Sequence, residues 1–150
     1  MKRVTPLIFI LLLTLTGCNN EKTIVEERHV FPENNWNHEN RLVTYNVKID
    51  GMPNPCKVIL ELDHAHKTDL VIPITVSIKS PDGGTTSRRV SFVIDKNHQA
   101  DPNCAVAEVY PQKYFNVAGD YEFTILRKWD KYDFPANKAL TLKVLKMPVE

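Results

Sequence analysis

Glycine is scarce in this 150-residue chain, five residues against ten prolines, and no window carries the 3.6-residue apolar period of an amphipathic helix. Both features argue against a helix-rich fold. Neither sign of charge is in excess, since 19 lysines and arginines face 18 aspartates and glutamates. The chain therefore has no basic stripe to displace counterions from a nucleic acid, and no acidic tail. No apolar run reaches the ~20 residues that a bilayer-spanning helix needs. The motifs of several common chemistries are missing: no glycine-rich phosphate loop, no G-x-S-x-G elbow, no H-E-x-x-H and no C-x-x-C. Fixed-period repeats and low-complexity runs are absent too. With 43% hydrophobic and 25% charged residues, the composition is that of one globular domain.

What is present begins with an address. Met1-Lys2-Arg3 is a basic start, and Pro6 to Leu15 follow without a charge, a short apolar stretch of the kind found in secretory signals. Leu15-Thr16-Gly17-Cys18 resembles the lipobox of bacterial lipoproteins: an aliphatic residue, two small residues and a cysteine. The resemblance implies cleavage before Cys18, a diacylglycerol on its thiol and an acyl chain such as palmitate on its freed amine. Two or three acyl chains anchor a protein stably where one, at ~0.8 kcal/mol per buried CH₂, holds it only marginally. Asn19, not an aspartate, follows the cysteine, which favours the outer membrane and leaves the periplasmic or external face open. Of the 19 basic residues, Lys2 and Arg3 lie in the signal, so 17 remain against 18 acidic ones. The expected organisation is a signal peptide over 1–17, a lipidated Cys18 with a polar flexible tether over 18–28, its end open to a short first strand, and a single domain over 29–150.

Period two runs through that domain. Val43, Tyr45, Val47 and Ile49 alternate with polar residues, as do Val58, Leu60 and Leu62, then Leu70, Ile72, Ile74, Val76 and Ile78. Pro73 breaks the last set on its opposite face, which predicts an edge strand or a bulge. Val90-Phe92-Ile94, Ala105-Ala107-Val109, Tyr121-Phe123-Ile125 and Leu140-Leu142-Val144 continue the pattern, and Ser80-Pro-Asp-Gly-Gly84 is a turn. About eight strands at eight- to fifteen-residue spacing predict an all-β antiparallel sandwich, jelly-roll or immunoglobulin-like.

Candidate chemistry is sparse. Cys56 and Cys104 each open a strand in an exported domain, where a disulfide closing nearly fifty residues would stabilise by ~4 kcal/mol. His64 and His66 share a strand face and form a weak candidate pair for a metal, although a metal site needs three or four ligands. Glu61, Asp63, Glu108 and Glu122 sit on outward faces and do not single out a hydrolase pair. Trp36, Trp129, Tyr132 and Phe134 fall in loops or at strand ends, where aromatics stack on sugars or anchor partners. Lys128 to Pro135 is the densest such segment, with three aromatics among four charges.

The lipobox at Cys18, Phe31 and Trp36 ahead of the first long strand, the Ser80–Gly84 turn, Phe115 leading to Gly119-Asp-Tyr-Glu-Phe123, and the last strand through Leu142 and Val144 together resemble one family. It is the gliding-motility lipoprotein H-like family of the Bacteroidota. Lys96 to Asn103 departs from the glycine-rich stretch of that family. The resemblance implies a non-enzymatic accessory of an envelope machine, without catalytic residues or cofactor. The expected function is thus binding: an outer-membrane lipoprotein serving a gliding- or secretion-type assembly, held to the membrane by lipid and paired with an envelope protein. A glycan-binding lipoprotein using the loop aromatics is the alternative, and a small exported hydrolase a weaker one.

Overall fold

The computed structural model describes residues 21–51, 55–98, 101–129 and 132–148. Eight strands follow in order: β1 (Lys22–Val30), β2 (Leu42–Ile49), β3 (Cys56–His64), β4 (Leu70–Lys79), β5 (Thr85–Ile94), β6 (Cys104–Lys113), β7 (Gly119–Arg127) and β8 (Asn137–Lys146). They form two four-stranded antiparallel sheets, β1-β8-β3-β6 and β2-β7-β4-β5. β1 pairs with β8, β2 with β7, β3 with β6 and β4 with β5, which is one long hairpin rolled up on itself. That order is the jelly roll.

The alternation read from sequence is the alternation that is buried. In β2, Val43, Tyr45, Val47 and Ile49 are buried while Leu42, Thr44, Asn46 and Lys48 are exposed. The same rule holds for Ile72 to Ile78 in β4 and Tyr121 to Ile125 in β7. Both inner faces meet in one core, and the Tyr45 hydroxyl ties the sheets by donating to the Leu140 carbonyl at 2.5 Å. Two glycines are required by conformation. Gly83 holds φ 91° in the tight β4–β5 turn, whose Ser80 carbonyl accepts from its N–H. Gly119 opens β7 at φ 135°, and a Cβ there would stand 3.1 Å from Pro81.

Three expectations change. β1 starts at Lys22, so residues 22–28, read as tether, are a sheet strand. Only Val25 of that strand is fully buried, because it lies at the sheet edge, and its sequence therefore looks like a solvated linker. β4 is an interior strand, paired on both sides. Pro73 is tolerated there because the β7 ladder ends opposite Ile74; past that end Lys128 N–H donates to the Pro73 carbonyl, and no ladder pair on that side asks for a Pro73 N–H. Cys56 and Cys104 are not joined. Antiparallel register sets Cys56 opposite Lys113 and Cys104 opposite Asp63, which is seven residues further along β3. At ~3.3 Å per residue the thiols sit ~23 Å apart, far beyond the ~7 Å Cα limit of a disulfide. Strand starts of antiparallel neighbours lie at opposite ends, so sharing a strand entrance argued against the bond. Iodoacetamide in denaturant without reductant is expected to alkylate both Cys56 and Cys104, and dithiothreitol to leave the melting temperature unchanged.

Candidate functional site

The sandwich has two poles. The start of β1, the end of β8 and turns 80–84 and 114–118 share one; segments 31–41, 65–69, 95–98, 101–103, 128–129 and 132–136 share the other. The aromatic candidates cluster at the second pole, where most of them serve the fold. Segments 31–38 and 132–138 zip together: Phe31 N–H donates to Lys138, Trp36 N–H to Phe134 and His38 N–H to Tyr132, all onto carbonyls. Trp36 is 0% exposed, stacks on Phe31 at 4.9 Å and donates Nε1–H to the Arg41 carbonyl. Phe134 is 4% exposed and packs against Trp129 at 5.3 Å. Trp129 itself is half-buried against the core. Neither Trp36 nor Phe134 has a ring face to offer a ligand, because apolar loop aromatics close the otherwise open sandwich end. Tyr132 is the exception at 62% exposure, its hydroxyl donating to Glu39.

The histidine pair lies beneath this cap. His64 is fully buried at the inward end of β3, and its ring stands 5.4 Å from that of His66. His64 Nδ1 accepts the His66 backbone N–H at 3.1 Å, which puts the ring proton of neutral His64 on Nε2. That buried Nε2 finds no acceptor among the described residues. Asn137 spends its amide nitrogen on the Phe134 carbonyl, so its Oδ1 accepts from His66 Nε2 at 2.9 Å. His66 is thereby committed to Asn137, and among the described residues no three His, Cys, Asp or Glu side chains gather for a metal. Arg127 completes the buried polar set. Its Nη1 donates to the Trp129 carbonyl at 2.6 Å and its guanidinium lies over Phe134 at 5.4 Å. Arg127 continues the inward register of Tyr121, Phe123 and Ile125, the signal by which it was legible. Cys104, on the outer face beside Asp63, has its thiol pushed up to about 11 by burial and then by Glu61 and Asp63. Cys18 lies outside the described residues, as do two positions of the Lys128–Pro135 segment.

The outer faces of the two sheets differ. On β1-β8-β3-β6 charges interlock: Arg28 with Asp63 at 2.5 Å, and Lys143 with Glu61 at 3.0 Å and Glu26 at 3.8 Å. On β2-β7-β4-β5 the half near the capped pole carries two apolar pairs with polar positions between them. Leu42 pairs across to Leu126, Val71 pairs with Val93, and Pro73 lies between. Leu42, Val71 and Val93 are 54%, 50% and 57% exposed. A shallow depression of about 140 Å³ between Pro73, Arg89, Ser91 and Lys128 indents this face. At ~4.8 Å per strand the patch crosses ~15 Å of sheet. Alternation could not single it out, since each residue is an ordinary outward position on its own strand. No protein-family model matches the chain, and no curated protein matches it.

His64 makes the domain acid-labile. Burial, and then the neighbouring charges of His66 and Lys96 against those of Asp101 and Asp63, lowers its pKa from 6.5 to about 4. Between those values the unfolded chain takes up a proton that the folded chain refuses, so stability is complete above pH 6.5 and falls as pH drops toward 4. The expected loss is on the order of 3 kcal/mol at about 1.4 kcal/mol per pH unit. Urea melts at pH 7 and pH 4.5 check it, with His64→Leu expected to flatten the dependence.

Proposed function

We propose that this chain is a non-enzymatic lipoprotein of the bacterial envelope that docks a protein partner, as an accessory of a gliding- or secretion-type outer-membrane assembly. The observation that carries this reading is the exposed apolar patch of Leu42, Val71 and Val93. Large apolar side chains exposed together on one sheet face mark interaction sites. Arg89, Ser91 and Lys128 lie between Leu42 and the Val71–Val93 pair, so the fitting occupant is a protein face that sets apolar groups beside acidic ones. The patch is not suited to lipid. Cys18 precedes β1 by only four residues, and β1 starts at the opposite pole. Nine strand residues, ~30 Å, separate that start from the capped pole. A domain held through Cys18 therefore carries the patch away from the bilayer.

Two experiments test the reading. Cys18→Ala is expected to shift the protein from membrane to soluble fractions, or to leave the signal uncleaved; unchanged fractionation with normal processing overturns the anchor. A photo-crosslinking side chain at position 93 is expected to yield one discrete protein adduct in cells, lost when Leu42→Lys is added and absent with the probe at Glu26. Equal adducts from both faces, or persistence in Leu42→Lys, overturns the docking face.

A further inference from the structure

The flank between β5 and β6 is built differently from the rest of the sandwich. Register along β3 and β6 shifts twice, pairing Ile59 with Glu108, Val58 with Tyr110 and Cys56 with Lys113. Val58 and Cys56 are core residues, so the shifts bring Tyr110 and Lys113 around to the inner side of β6. Opposite them, Thr86 and Arg88 of β5 pair with buried Ile78 and Val76, yet are themselves exposed. Residues on an inner register that remain exposed mean the two sheets part here. The opening continues into a cleft of about 280 Å³ lined by Thr86, Lys113, Tyr114, Asn116, Ser80 and Asp82.

Two cations share one ring beside this cleft, Lys113 from its lining and Arg88 from just outside it. The Arg88 guanidinium lies 5.1 Å and the Lys113 ammonium 5.2 Å from the Tyr110 centroid. Among the described residues neither forms an ion pair with a carboxylate. Of the other half-buried lysines, Lys57 pairs with Glu21, Lys143 pairs with Glu61, and Lys96 donates to the Pro102 carbonyl. Lys113 is instead desolvated without that compensation, which lowers its pKa. The far lip is different in kind. Asp82 accepts from the Ser80 hydroxyl and the Gly84 N–H, and its carboxylate repels a small free anion while accepting hydroxyl protons. Tyr114, 53% exposed, also lines the cleft, its hydroxyl accepting from Gln112 Nε2 at 2.8 Å.

We infer that this cleft binds an acidic sugar unit, its anionic group held by Arg88 and Lys113, its hydroxyls met by Asp82 and Asn116, and its apolar face against Tyr114. A ligand charged at one end and hydroxylated at the other matches the two lips, which neither a bare anion nor a neutral sugar does. The site is separate from the docking face and does not depend on it.

Titration calorimetry of the full chain in detergent solution tests this with trigalacturonate, its fully methyl-esterified neutral form, and galactose 1-phosphate. Trigalacturonate or the sugar phosphate is expected to bind in the millimolar range or tighter, the first pointing to a carboxylate and the second to a phosphate as the anionic group. Lys113→Gln and Arg88→Gln should each weaken binding about tenfold with unchanged melts, as loss of one charged hydrogen bond does. Lys113→Arg should retain binding. Equal binding of the methyl ester, undiminished binding in Lys113→Gln, or no heat from either acidic ligand overturns the assignment.

Discussion

The apolar faces of eight amphipathic strands leave water only when two sheets press them together, and that burial fixes the register of each strand, because a slip of one residue would turn every inner side chain outward. The pairing of first with last, second with seventh, and so inward, then follows from rolling one hairpin over that shared core. Register in turn decides the chemistry. It holds Cys56 and Cys104 at opposite ends of one ladder, lets Pro73 fall past the end of β7, and aims His64 and Arg127 inward at the capped pole.

That pole shows how the fold handles inward positions that are not apolar. The inner register of β3 and β7 runs one residue beyond the aliphatic core, ending in His64 and Arg127. Burying such groups is costly unless hydrogen bonds and ring contacts compensate. The zipped loops provide them: Trp129 lends a carbonyl, Phe134 a ring face, and Asn137 orients His66 beside His64. The buried proton on His64 Nε2 is left by imperfect compensation, and the burial of the ring, which disfavours its charged form, is why acid acts on this end of the domain.

Alternation within a strand is a local property, and what depended on it was legible: the fold class, the strands from β2 to β8 and the inner residues of each. Neighbourhood is not local. Which strand ends meet, whether a loop tryptophan plugs a pole, and whether outward valines on different strands converge are settled only by the order of strands in the sheets. Trp36 and Phe134 are the clearest instance. Each looks exposed beside its polar neighbours, and each is buried by the other's loop, ninety-eight positions apart in sequence. β1 was misleading for a related reason, since an edge strand with one buried side chain carries too little apolar pattern to separate it from a linker.

The exposed apolar face and the cleft lie at opposite poles, and the difference between them follows from how each is made. The apolar patch sits on a regular four-stranded ladder, where side chains stand in fixed rows and a flat face can match another protein. The cleft sits where the ladder is irregular and the sheets separate, and a bulged strand can turn an aromatic and a cation toward one small ligand. The cleft shares its pole with the start of β1, so in the proposed lipid-anchored arrangement it opens near the membrane surface, while the flat face stands clear of it. Were Cys18 lipidated, the four residues from Cys18 to Lys22 would reach at most ~14 Å at ~3.5 Å per residue, less than half the length of β1. The domain can tilt on such a leash, but it cannot exchange its poles.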